Sequence, residues 1–248
     1  MSSPAASSIA SASVERVSES GSDGLKDWVA VEEPLEIRLV YGPPSARTAE
    51  PMSVTMRTPG HDPELAAGFL FSEGILRHPD QIREIESSGP HCNVVTVSLA
   101  PSVLVDIERL RRHFYTTSSC GVCGKTSIEA LRTQRVFDSG DELVVSAALV
   151  KSLPFRLGQA QEVFEKTGGL HATGLFDQRG ELLVLREDVG RHNAMDKIIG
   201  HAFFQKRLPL HGCIALVSGR ASFELVQKVA MAGVPLMAAV GAPSSLAI

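Results

Sequence analysis

The chain has 248 residues, of which 44% are apolar, 21% charged and 5% aromatic, and its formal net charge is −4. This length accommodates one large domain or two small ones around a well-filled core, and the balance excludes a collagen, a coiled-coil rod and a wholly disordered chain. No basic block marks a nucleic-acid footprint, and no apolar run reaches the roughly 18 residues of a membrane span, the longest candidate (Val229 to Val240) being broken by Gly233 and Pro235.

Residues 1–24 are rich in Ser and Ala and lack apolar periodicity, which predicts a disordered tail. They have neither the basic start nor the apolar stretch of a signal peptide, and Arg16 is their one basic residue, beside Glu15 and Glu19, which argues against a transit peptide. Four cysteines are too few for a secreted disulfide framework, so the expected location is the reducing cytoplasm. From Trp28, the alternation of Val29, Val31, Leu35, Ile37 and Leu39 predicts one or two strands around Pro34, and MSVTMR another. Asp62 as N-cap, with Pro63 at the first helical position, opens a helix over LAAGFLFSEGIL. NVVTVSL reads as a strand and VLVDIERLRRHF as a strand or short helix, giving an N-terminal α+β domain over 25–110. Residues 111–126, with TTSSCGVCGKTS, are small and polar and predict a mobile loop.

Residues 127–248 have a layered α/β rhythm. Helical segments run from SIEALRTQRVF to QEVFEKTGG, ended by Gly168 and Gly169. LHATGLFD and ELLVLRE flank Gln178-Arg179-Gly180 as a hairpin, followed by a helix from about Gly190 to Lys206, the strand CIALVS, the helix SFELVQKVAMAG and the strand PLMAAV. The fold class is therefore α/β with part of a sheet parallel. Pro243-Ser244-Ser245 reads as the start of a further helix with three residues after it, so this domain is expected to lack its C-terminal end.

Cys120-Gly-Val-Cys123 admits four readings. A structural zinc site needs four ligands, and no second CxxC or close Cys/His pair supplies them. A thioredoxin-type dithiol sits after a strand at a helix start, whereas this pair has loop on both sides. A carrier thiol suits the reach that Gly121 and Gly124 provide, and Lys125 together with the dipole of the following helix would lower its pKa. The fourth reading is two incidental cysteines. Spacing does not choose among them.

REDVGRHNAMDKIIG concentrates polar groups at a helix start: Asp188 as a cap, then Arg191, His192, Asn193, Asp196 and Lys197. His192 and Asp196 share a face, as do Asn193 and Lys197. Either this is capping with a solvated face, or it recognises a ligand carrying phosphate and a heterocycle. Ser218-Gly219-Arg220-Ala221-Ser222 lies between a strand and a helix, where backbone N–H groups and a guanidinium suit an anion, and Gly241-Ala-Pro-Ser-Ser repeats the arrangement. Adjacent turns at the carboxyl ends of strands favour a phosphate-bearing ligand, although tight turns of small residues would look the same. His171-Ala-Thr lacks the Glu and the downstream Pro-Cys-x-x-Cys of a zinc deaminase, which leaves His171 as a ligand contact or a satisfied polar residue, and no metal ligands are assigned.

Taken in order, SSCGVCGK, TGGLHATGLF, REDVGRHNAMDKIIG, SGRASFELVQKVAMAGVP and GAPSSLAI resemble the formate dehydrogenase accessory sulfurtransferase family, FdhD, over residues 28–248. The resemblance implies a three-layer C-terminal domain of cytidine-deaminase-like fold behind a smaller N-terminal α+β domain. It also implies a sulfurtransferase (EC 2.8.1 type), acting as a homodimer. Such a protein accepts sulfane sulfur from a cysteine desulfurase as a persulfide on Cys120, with Cys123 as partner. It passes the sulfur to the molybdenum cofactor of formate dehydrogenase, the bis-(molybdopterin guanine dinucleotide) form. His171, Arg191, His192, Asn193, Asp196, Lys197, Ser218, Gly219 and Arg220 then become candidates for binding the guanine-nucleotide arms. Members of the family continue past a segment like GAPSSLAI with a helix and a strand that contribute to cofactor binding. A non-catalytic, cofactor-binding chaperone of formate dehydrogenase is the alternative.

Overall fold

The computed structural model describes residues 7–19, 21–105 and 143–248. Three strand assemblies organise them. An antiparallel ribbon joins β1 (Ile9–Ser18) to β2 (Gly21–Ala30). A four-stranded sheet contains β3 (Glu33–Tyr41), β4 (Thr48–Arg57), β5 (Ile82–Ser88) and β6 (Val94–Leu99) in the order β4-β3-β6-β5, with β3 and β6 parallel. A second contains β7 (His171–Phe176), β8 (Leu182–Asp188), β9 (Ile214–Arg220) and β10 (Leu236–Gly241) in the order β10-β9-β7-β8. In it β7 runs antiparallel to both neighbours while β9 and β10 are parallel.

Five α-helices are described: α1 (Asp62–Ser72), α2 (Ala147–Ala160), α3 (Glu162–Thr167), α4 (Arg191–Phe204) and α5 (Phe223–Met231). Period-two burial decides where they pack. Leu35, Ile37 and Leu39 of β3 lie in register with Val95 and Val97 of β6, forming one apolar face of the first sheet. In the second sheet Leu175, Ala215 and Val217 face the same core as α1, α4 and α5, whereas Phe176, Ile214 and Leu216 face Leu153 and Leu157 of α2. Both faces of β9 are buried, which is why CIALVS reads as an unbroken apolar run. The C-terminal domain is thus three layers, α4 and α5 over the sheet over α2, and α1 carries the N-terminal sheet onto the same helix layer.

The join between the two domains is a helix crossing at two glycines. A Cβ on Gly68 of α1 would stand 1.9 Å from the carbonyl oxygen of Asp196, and one on Gly200 of α4 would stand 1.8 Å from that of Glu64. Only hydrogen side chains let the backbones approach so closely. Around the crossing, Phe71 and Phe203 pack at 5.9 Å between ring centres. Arg186 of β8 grips Glu64 with Nε at 2.6 Å and Nη2 at 2.9 Å, a bidentate ion pair across the domains.

Several expectations need correction. Residues 9–24, predicted as disordered tail, lie largely in the ribbon, paired from Ile9 with Ala30 to Ser18 with Gly21. Most of its side chains are exposed, so a main-chain ladder holds it, and a ladder leaves no apolar periodicity to read. Asp62 is not the N-cap of α1. His61 takes that position with φ 57°, and Asp62 instead accepts two hydrogen bonds from the buried Arg57, both at 3.0 Å. The strand β5 escaped prediction because IREIESS holds only two apolar residues in seven and lies at a sheet edge. The segment Pro243-Ser244-Ser245 forms one turn, in which Ser244 O accepts from Ala247 N and Ile248 N, rather than a helix. SIEALRTQRVF, most of VLVDIERLRRHF and the cysteine loop 111–126 lie outside the described residues.

Substituting Gly68→Ala should lower unfolding free energy by about 3 kcal/mol, the upper part of the usual overpacking range, because backbone rather than a side-chain tip is in the way. Gly158→Ala in α2, where nothing lies within 4 Å of the added carbon, should instead be neutral or stabilising by up to ~1 kcal/mol. Urea unfolding of the two variants checks both signs.

Candidate functional site

The strands β8, β9 and β10 end at one edge of the second sheet, where antiparallel β7 begins. That edge gathers His171 at the start of β7, Ser218-Gly219-Arg220 at the end of β9, and the N-termini of α4 and α5. The two helix starts meet through His192, whose Nε2 lies 3.3 Å from Ser222 Oγ and 3.9 Å from a Glu224 carboxylate oxygen. Ser218 Oγ accepts from Ala172 N at 2.9 Å and lies 3.5 Å from His171 Nδ1. Gly219 is the floor: an added Cβ would sit 3.4 Å from Arg191 Cδ and 3.6 Å from the His171 ring. Gly241 of β10 pairs with Arg220, and a Cβ there would stand 2.9 Å from the Arg220 backbone.

Positive groups outnumber negative ones at this edge. Arg191 and Arg220 face it, with Lys228 behind. Burial lowers the His192 pKa to about 3, assisted by Lys228, Arg191, His171 and Arg220. His171 is also lowered, by burial and then by Arg191. Both imidazoles are therefore neutral at pH 7 and donate or accept hydrogen bonds without adding charge. Arg191 Nε is buried with no hydrogen-bond partner. A buried guanidinium nitrogen without an acceptor, at the start of α4, suits a phosphate or another anion.

The predicted set divides in two. His171, Arg191, His192, Ser218, Gly219 and Arg220 come together at the edge. Asn193, Asp196 and Lys197 turn the other way and are consumed by the domain junction. Lys197 Nζ donates to Thr58 O at 2.9 Å and Glu187 O at 3.3 Å and pairs with Asp188 at 2.7 Å, which uses all three of its protons. Asn193 donates to Met56 O and Asp188, and accepts from Thr55 Oγ1. Asp196 takes Lys228 Nζ at 2.7 and 2.8 Å and the Ser72 hydroxyl at 3.0 Å. The structure thus places these three, all buried, at the junction rather than with the other candidates at the sheet edge. Asp188 joins both groups: it also accepts from Gly190 N and Thr58 N, holding the start of α4 in place.

Glu224 and Lys228 lie outside the predicted set. Their signal is the Glu224/Lys228 pair at i, i+4, which reads as ordinary helix decoration until the fold turns it toward His192 and Asp196. Cys120 and Cys123 lie outside the described residues. Among the described residues no group of His, Cys, Asp and Glu is placed to hold a metal, and no helix is long and apolar enough to cross a membrane.

Two variants separate the junction from the site. Asp196→Asn should cost about 3 kcal/mol or more of stability, since it leaves the buried Lys228 without its carboxylate. A merely ligand-binding Asp196 would leave the melting temperature where it was. For His192 the folded pKa lies below the unfolded value, so the unfolded chain gains a proton first as pH falls. Stability is then full above about pH 6.5 and declines toward pH 3. His192→Gln should remove about 2 kcal/mol of the stability difference between pH 7.5 and pH 5, read by urea unfolding at both.

The profile of the FdhD/NarQ family matches residues 30–248. Relatives named sulfur carrier protein FdhD include one from Mycobacterium tuberculosis, 49% identical over 233 residues, covering 90% of this chain and 82% of the relative. One from Streptomyces avermitilis is 50% identical over 232 residues (90% and 79% covered), and one from Saccharolobus solfataricus is 40% identical over 233 (94% and 84%). Among solved structures, a protein from Desulfotalea psychrophila, provisionally described as a formate dehydrogenase accessory protein, superposes with a TM-score of 0.71. It is 24% identical and covers 96% of this chain and 86% of its own, a match of fold.

Proposed function

Because the chain belongs to the FdhD/NarQ family, we propose that it is a sulfurtransferase that carries sulfane sulfur from a cysteine desulfurase to the molybdenum cofactor of formate dehydrogenase. It would act as a cytoplasmic homodimer. The observation that carries this reading is Cys120-Gly-Val-Cys123, standing in a chain about half identical to proteins named sulfur carriers.

The Cys120 thiolate attacks the outer sulfur of the donor's persulfide. A sulfur–sulfur bond forms on Cys120 as the donor's breaks, and the donor cysteine leaves as thiolate, so no net oxidation occurs. Passing that sulfur on as sulfide takes two electrons, which the Cys123 thiolate supplies by closing a disulfide with Cys120.

The sheet-edge site would hold the acceptor, bis-(molybdopterin guanine dinucleotide), by its phosphate-bearing arms. The residues fit such a substrate: Arg191 brings a buried nitrogen with no acceptor, Arg220 an exposed guanidinium, and His171 and His192 neutral rings. The α4 N-terminus adds aligned N–H groups and a positive dipole end.

Incubation with a cysteine desulfurase and cysteine, followed by non-reducing peptide mass spectrometry, should show one extra sulfur on the Cys120–Cys123 peptide that reduction removes. Cys120→Ala should lack it and fail to mature formate dehydrogenase while melting at the wild-type temperature. Normal maturation by that variant would sink the assignment. Loss of maturation by Arg191→Gln, with sulfur loading intact, would place the sheet edge on the delivery side.

A further inference from the structure

The acids around the sheet edge are almost all spoken for. Asp188 and Asp196 are saturated by the domain junction, and Glu187 accepts from Val163 N and Phe164 N at the start of α3. Glu224 differs. Its side chain is only 16% exposed, no hydrogen bond from a described residue reaches it, and it stands 3.9 Å from the His192 ring. A mostly buried carboxylate is stable when N–H donors reach it. It would repel a phosphate, so within a site that otherwise attracts anions it belongs at the uncharged end of the ligand.

We propose that Glu224 is the specificity-determining residue of this site, reading the adjacent N–H and amino donors of a 2-amino-4-oxopyrimidine edge. Guanine presents that edge, and so does a pterin, while adenine does not. A carboxylate accepts the two parallel donors bidentately, and Ser222 and His192 hold the remaining polar contacts beside it. Arg191 and Arg220 then face the phosphates, so the ligand lies with its heterocycle toward α5 and its charge toward β9 and α4. This assignment rests on the proposed nucleotide-bearing substrate and adds which end of it the protein recognises.

The test is calorimetric titration of the full chain and of Glu224→Gln, an isosteric change, with GDP, IDP and ADP. IDP lacks only the 2-amino group. Wild type should prefer GDP to IDP by about tenfold and to ADP by more, the range for a bidentate base contact. Glu224→Gln should lose most of that preference while ADP affinity stays unchanged. Arg191→Gln should weaken all three together, which separates phosphate holding from base reading and guards against a folding artefact in one variant. An unchanged preference in Glu224→Gln overturns this inference and leaves the phosphate site standing. Binding of none of the three to a wild type that still loads sulfur overturns both. Competition with 6-hydroxymethylpterin assigns the source of the edge: displacement of GDP from wild type but not from Glu224→Gln places a pterin in the same seat, and no displacement reserves it for guanine.

Discussion

At Gly68 and Gly200 the backbones of α1 and α4 touch, and this contact sets the distance between the N-terminal sheet and the layered C-terminal domain. Everything that surrounds it is built to that spacing. The Arg186–Glu64 pair, the Ser72–Asp196–Lys228 chain and the Lys197–Thr58 bond each span from α1 or its sheet to the second domain, over lengths of about a hydrogen bond. A helix pair held apart by ordinary side chains would put these groups several ångströms from one another and leave buried charges without partners, a costly state in a low-dielectric interior.

The same crossing governs the chemistry of the sheet edge. α4 presents its start to the site and its flank to the junction, so consecutive residues acquire opposite duties: His192 faces Ser222, and Asn193 faces Met56 and Thr55. Asp188, fully buried, connects the two by holding Gly190 N, Asn193 and Lys197 at once. Because the junction absorbs Asp188 and Asp196, their negative charge is neutralised at source. Among the described residues the edge is left with guanidinium groups, neutral imidazoles and one carboxylate without a hydrogen-bond donor, Glu224. An anion-attracting site with one acceptor at its end follows from how the acids were allocated.

A division of labour follows for the proposed sulfur carrier. The surface proposed to bind the acceptor stands on helices and strands packed around buried cores, while the thiol pair sits in a glycine-rich stretch of the sequence. Rigid placement suits recognition of a large phosphate-bearing substrate. A thiol that must visit a donor and then an acceptor has no need of such a scaffold.

How much the sequence by itself determined can be seen residue by residue. Local rules sufficed for β3, β7, β8, β9 and β10, whose apolar runs and turn glycines are visible in a short window, and for the end of α3 at Gly168. Motif order in the chain also sufficed to name the family. Tertiary structure alone decided what lies a hundred residues apart in sequence. Asp196 and Lys197 look like ligand residues in a polar motif, and only the fold brings in their partners Ser72 and Thr58, from α1 and its sheet. Residues 9–24, in the ribbon, carry no periodic signal because its bonds are made by backbone. Glu224 reads as half of a helix-surface ion pair until Asp196 takes Lys228 away. Hydrophobic period and turn chemistry are properties of neighbours along the chain; which acid keeps its charge free is settled by neighbours across it.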